Sequence, residues 1–232
     1  RPFPSVAVAR TPRVRHYRPG ATVASHYITN HYVTLPGGLG MMLRLAAVLV
    51  LAATTSAAAT NERLDVYYVG PDGPAKRSLQ LTDATGLAPN LVDADAAVLV
   101  DRATPEELSR LAAYVRDGGR LVVFMGPDLD AAGLAALGLP GLRTSTAEDA
   151  AILQPTDAGR LLLQHMNWEA APQVRDRTVV TPAPERPLVK VYSTDESVIG
   201  DMPVGKGRIC LVTPHLAAEG NRPLQDWFYF HY

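Results

Sequence analysis

An α/β fold, with a mostly parallel sheet and helices on both of its faces, is the architecture this sequence predicts, on three observations. Residues 96–100 (AAVLV) and 120–125 (RLVVFM) are short continuous apolar runs, the pattern of strands buried on both faces. Between them lies an amphipathic segment with complete helix start and stop signals. A third apolar run, residues 208–213 (RICLVT), follows the tight turn Gly205-Lys206-Gly207. Strand, helix, glycine stop and strand together make a βαβ unit, and such a crossover places its strands parallel.

Taken in chain order, residues 64–69 (LDVYYV) are β-branched, aromatic and apolar, and Gly70-Pro71-Asp72-Gly73 ends them: a strand, then a turn. Residues 78–91 have no decisive period and leave room for a short helix. The run 96–100 stops at Asp101. In the helix that follows, Thr104 is the N-cap, Pro105 holds the first position and Glu107 completes a capping box. Leu108, Leu111, Ala112 and Val115 form its apolar stripe, and Gly118-Gly119 stops it. The strand at 120–125 ends at Gly126-Pro127-Asp128. Residues 130–137 read as a short Ala/Leu-rich helix, and 139–143 begin an irregular connection.

Further on, residues 157–166 (DAGRLLLQHM) suit a helix with Leu161, Leu162 and His165 on adjoining faces, followed by a loop at Asn167-Trp168-Glu169. The Pro-rich stretch 181–187 (TPAPERP) reads as an exposed linker or edge. Residues 188–192 and 197–200 are short strand candidates. No internal repeat is present.

The first 59 residues read differently from the rest. Met41-Met42 is followed by Arg44, an apolar stretch at 45–53 and small residues at 54–59, the layout of a secretory signal peptide. Ala57 and Ala59 fit the cleavage rule, which makes Thr60 the first mature residue; a retained anchor is the alternative. Residues 1–40 hold five Arg and no acidic residue. They read as an upstream or non-native segment rather than a basic nucleic-acid arm, because a signal peptide works at an N-terminus. All 23 acidic residues lie after Ala59, against 16 of the 22 basic ones, so that part carries a formal charge of −7. An acidic domain exerts no electrostatic pull on nucleic acid.

With 47% hydrophobic residues the chain can bury a core, which excludes a mostly disordered protein. A single Cys excludes an intramolecular disulfide and a cysteine-rich zinc module. The aromatic segment 216–232, ending Trp227-Phe228-Tyr229-Phe230-His231-Tyr232, reads as the approach to a membrane span beyond the given sequence.

The stretches 97–101, 104–111 and 114–124, together with 204–213, resemble the class I glutamine amidotransferase-like superfamily. The likeness is to its exported, non-catalytic envelope members and the related trehalose-utilisation-type domains, and it covers roughly 64–213. It implies a three-layer flavodoxin-like fold, with the α/β domain at 60–215. Enzymes of the family place a Cys nucleophile on the sharp turn after a central strand, and a His and a Glu two residues apart after a late strand. Here the turn carries Gly126-Pro127-Asp128, with no Cys, Ser or Thr to attack, and Cys210 sits mid-strand as a small hydrophobe. His215 and Glu219 follow the late strand but stand four apart.

Ligands of open parallel sheets bind outside the carboxyl ends of the strands. Asp101, Asp128 and His215, with Glu219, are therefore the binding candidates, Asp101 and Asp128 doubling as turn formers. Phosphate cradles, a serine elbow around Ser145 or Ser193, and a zinc site from His165, Glu169 and His215 lack the required patterns. Trp168 and Trp227 are either partner anchors or packing under loops.

The expectation is an exported, catalytically inert module, periplasmic or extracytoplasmic, needing no cofactor and no metal. It would bind an envelope protein or a small polar ligand, and attach to the membrane through sequence after Tyr232. The alternative is an exported hydrolase or sugar-processing enzyme using Asp101, Asp128 and His215.

Overall fold

The computed structural model describes residues 63–81, 85–162 and 168–221. The expectations for residues 1–40, for the leader at 41–59, for His165 and Asn167, and for 222–232 with Trp227 lie outside the described residues. The strands are β1 (Leu64–Val69), β2 (Thr85–Leu87), β3 (Ala96–Val100), β4 (Arg120–Phe124) and β5 (Arg143–Ala147). They continue with β6 (Leu153–Pro155), β7 (Arg177–Thr181), β8 (Arg186–Val191), β9 (Ser197–Val204) and β10 (Gly207–Val212). The helices are α1 (Pro74–Leu81), α2 (Pro105–Arg116), α3 (Ala131–Ala136) and α4 (Asp157–Leu162).

Eight strands form one sheet in the order β2-β1-β3-β4-β10-β9-β8-β6, and β5 pairs with β7 in a separate ribbon. The fold is α/β, but the sheet is mixed. Neighbours from β2 to β10 run parallel, whereas β10-β9, β9-β8 and β8-β6 are antiparallel. The reason lies in the connections. The β3-α2-β4 crossover aligns its strands, while the turn between Val204 and Gly207 is too short for anything but a hairpin. Gly205 opens that turn at φ +61°, in the left-handed region.

Helix α2 forms as its sequence dictates. The Glu107 backbone N–H donates to Thr104 Oγ1 at 3.3 Å, and the Thr104 N–H donates to Glu107 Oε2 at 2.7 Å. Leu108, Leu111, Ala112 and Val115 are its buried residues, each large one contributing about 1.5–3 kcal/mol on leaving water. The hairpin then clasps its end. Lys206 N–H donates to the Arg116 carbonyl and Arg208 N–H to that of Gly119. A Cβ at Gly207 would overlap the carbonyl oxygens of Val115 and Gly119, so only glycine fits there.

Alternation along the strands splits the core in two. Ala96, Val98, Val122, Phe124, Cys210 and Val212 join one cluster with Leu79 of α1. Ala97, Leu99, Leu121, Val123, Ile209 and Leu211 join the other, under α2 and α3. Both faces of the central strands are thus apolar, as their continuous hydrophobic runs require.

Several elements differ from expectation. The first helix begins at Pro74 rather than within 78–91, and it is followed by the three-residue strand β2. Residues 143–147, in the irregular connection expected from 139 onward, are strand β5, which carries Ser145. Strands β6 and β7 had no apolar run to announce them. The Pro-rich stretch is the connection from β7 to β8, with Pro184 buried and a Cβ at Gly200 excluded by its ring. Trp168 opens a single 3-10 turn and packs against the first cluster. Among the described residues no helix is long and apolar enough to cross a membrane.

Candidate functional site

The parallel strands end together at Gly70, Asp101, Gly126 and Thr213. Asp101 is the described non-glycine residue with positive φ, at +65°. Asp tolerates this left-handed conformation better than most side chains because its short polar group bonds locally. Its carboxylate lies over Gly126, where a Cβ would overlap Oδ1. The Asp128 N–H reaches Asp101 Oδ1 at 3.5 Å, a weak bond. Gly70 closes the other side, since a Cβ there would come within 2.8 Å of the Val100 carbonyl oxygen.

Asp128 turns to a different partner. Its carboxylate faces Arg102 at 3.6 Å, with both side chains exposed, a pair that contributes little. His215 is half-buried, with Nε2 2.8 Å from Thr178 Oγ1. Burial pulls the imidazole below its usual range, and the charges of Asp176 and Asp101 oppose that pull. The ring is therefore neutral at pH 7. Glu219 is exposed on the 3-10 turn Glu219–Asn221. The structure thus bonds Asp101 to the Asp128 backbone and His215 to Thr178, engages the Asp128 carboxylate with Arg102, and leaves Glu219 at the surface. No hydrogen bond or ion pair joins these four side chains to one another among the described residues. Among the described residues, no group of three or more His, Cys, Asp or Glu is arranged to hold a metal.

Asn221 is a buried fastener. Its Nδ2 donates to the carbonyls of Asp176 at 2.6 Å and His215 at 3.1 Å, and its Oδ1 accepts from Arg175 N–H at 2.8 Å. The His215 N–H donates to the Asp176 carbonyl as well. These bonds fix the segment carrying His215. Beside it, Thr213 Oγ1 is buried without a hydrogen-bond partner among the described residues.

No Cys, Ser or Thr stands in the turn after β4, which Gly126-Pro127-Asp128 makes. Cys210 is buried in β10, and burial, with Asp201 nearby, pushes its thiol far up, so no thiolate is available.

A cavity of about 350 Å³ lies elsewhere, between the β5–β7 ribbon and the β8–β9 turn, lined by Asp149, Ile152, Arg177, Tyr192, Ser193 and Glu196 among others. Arg177 is 2% exposed and uses every guanidinium donor. Nε donates to Glu196 Oε1 at 2.6 Å and Nη2 to Glu196 Oε2 at 3.2 Å. Nη2 also reaches Asp149 Oδ1 at 3.1 Å, while Nη1 serves the carbonyls of Asp149 at 2.7 Å and Arg175 at 3.2 Å. The sequence carried no signal for this cluster, because Glu196 and Asp149 stand 19 and 28 residues from Arg177, in connections between strands.

No family model matches the chain, and no curated protein matches it. Among solved structures it is similar to the cytoplasmic protein STM1381 from Salmonella typhimurium LT2, at 17% identity and a TM-score of 0.47, over 60% of this chain and 68% of that one. It is also similar to the exo-β-1,4-mannosidase Op5Man5 from Opitutaceae bacterium strain TAV5, at 16% identity and a TM-score of 0.48. That match covers 72% of this chain and 35% of the other. A third is the cold-adapted β-galactosidase from Rahnella sp. R3, at 14% identity and a TM-score of 0.41, over 81% of this chain and 33% of that one. The chain spans about a third of each glycosidase. None of the three is described as an amidotransferase, and likenesses of this order carry no argument about activity.

Proposed function

We propose that the chain is an exported, catalytically inert domain of the amidotransferase-like type, acting as a binding or assembly module at the bacterial cell envelope. The observation that carries this reading is the turn after β4. Where the family's enzymes need an attacking group there is Gly126-Pro127-Asp128, and the Asp101 carboxylate occupies the space over Gly126. The sole thiol is buried mid-strand. A flavodoxin-like three-layer arrangement is supported by the strand order β2-β1-β3-β4-β10, which follows the 2-1-3-4-5 pattern of doubly wound sheets, and by apolar clusters on both faces. Export rests on the leader-like residues 41–59.

The test is to express the coding region in a bacterial host, fractionate the cells and sequence the product's N-terminus. A periplasmic protein starting at Thr60 is expected, hydrolysing glutamine no faster than its Cys210→Ala variant. An uncleaved cytosolic product, or glutamine turnover abolished by that substitution, overturns the reading.

An exported hydrolase or sugar-processing enzyme of the trehalose-utilisation type is the second reading. It is favoured by the 2.8 Å contact between His215 Nε2 and Thr178 Oγ1. Glycoside turnover that His215→Ala abolishes would establish it in place of the first.

A further inference from the structure

The cavity at Arg177 belongs to none of the strand ends, and its chemistry is one-sided. With every guanidinium donor engaged, Arg177 has nothing to offer an incoming anion or carbonyl group. The acceptors are not exhausted. Each carboxylate oxygen can accept about two hydrogen bonds; Glu196 accepts one from Arg177 on each oxygen, and Asp149 accepts one on Oδ1. The Glu196 pair neutralises the Arg177 charge at close range. Asp149 shares the same guanidinium through Nη2, so the three groups together carry a net charge of −1, with the Asp149 side chain 73% exposed at the mouth.

The rim is apolar. Four large hydrophobic side chains stand exposed among the described residues, Val92, Ile152, Leu161 and Tyr192, and two of them, Ile152 and Tyr192, line this one cavity. Single exposed apolar residues are ordinary, but a pair at the mouth of an acidic cavity is a recognition feature. The volume lies at the small end of ligand sites, which run from about 300 to 1,000 Å³.

We propose that this cavity binds an organic cation, an ammonium or guanidinium on a short aliphatic stem, whose N–H groups donate to Asp149 and Glu196 and whose charge and stem rest on Tyr192 and Ile152. An anion would meet two carboxylates and a saturated guanidinium. A neutral sugar brings acceptors as well as donors, and only the Ser193, Thr194 and Tyr192 hydroxyls remain among the lining side chains to donate to it, whereas a cation brings donors alone. The same group can arrive on a free amine or on the Arg or Lys side chain of another protein. This inference rests on the cavity and not on the inertness of the strand ends.

Calorimetric titration of the full chain at low salt tests it, with agmatine, a capped Gly-Arg-Gly peptide, glucose and citrate as probes. Saturable one-to-one binding of agmatine or the peptide is expected at Kd values of about 1 mM or tighter. Asp149→Asn keeps the oxygen that Arg177 uses but removes the charge, and should weaken binding about five-fold. Tyr192→Ala should weaken it about three-fold. Both side chains are exposed, and circular dichroism confirms that the variants fold. Binding of agmatine alone assigns a free amine as ligand, and peptide binding as tight or tighter assigns a partner's side chain. Absence of saturable binding by either cationic probe, tighter binding of glucose or citrate, or affinity that neither substitution lowers overturns the proposal.

Discussion

The parallel half of the sheet is held chiefly by apolar packing among its strands, whereas its antiparallel half adds buried polar contacts to that packing. Strands β1 to β4 and β10 are cemented by alternating apolar side chains, with Ala97, Leu99, Leu121, Val123, Ile209 and Leu211 all buried on one face. The antiparallel strands β6, β8 and β9 also bury apolar side chains, Leu153, Leu188, Val189, Val191, Val198 and Ile199. They and the neighbouring β5–β7 ribbon add polar fasteners: Arg177 with its five hydrogen bonds, Asn221 with its three from the segment after β10, and Thr156, whose hydroxyl donates to the Pro187 carbonyl at 2.8 Å. An apolar interior gains from every atom buried and tolerates exchange of one hydrophobe for another. A polar fastener is stable only while complete, because each group left unpaired retains its full desolvation cost.

Arg177→Met breaks the contrast most sharply. It leaves Glu196 and Asp149 facing a neutral side chain, and should destabilise the protein by about 3–5 kcal/mol, read as a lower urea midpoint. Gly207→Ala tests the seam between the halves, where the hairpin meets the end of α2. Its methyl group would have to displace two carbonyl oxygens, at about 1–3 kcal/mol in the same measurement. The smallest effect sharpens the comparison through pH. The His215 imidazole ionises less readily folded than unfolded, so below the ordinary histidine value of about 6.5 the unfolded chain binds more protons. Its contribution is therefore complete above that pH and lost as pH falls through the lower folded value. His215→Gln should flatten the decline of stability between neutral and mildly acidic pH.

The same division explains what the sequence made legible. Helix α2 was readable down to its capping box, since Thr104, Pro105, Glu107 and Gly118 act within one turn of its ends. The strands at 96–100 and 120–124 were readable because burial on both faces leaves a run without polar interruption. Strands β5 and β7 were not, because RTSTA and RTVVT alternate around hydroxyls and a buried Arg rather than around hydrophobes. At the candidate site, Asp101 and His215 could be placed at strand ends from the order of elements alone. Thr178 and Asn221 could not, since they meet His215 and Arg175 across 37 and 46 residues of chain. Long-range polar contacts leave no local period to read.

The left-handed backbone at Asp101 has an experimental consequence. Few residues adopt φ +65° at low cost, and the ones that do form a graded set of probes. Asparagine retains the shape and reach of the side chain while deleting its charge; glycine retains only the bend. Scaffold and recognition, usually inseparable in a single substitution, can be pulled apart at this position by comparing those two replacements side by side.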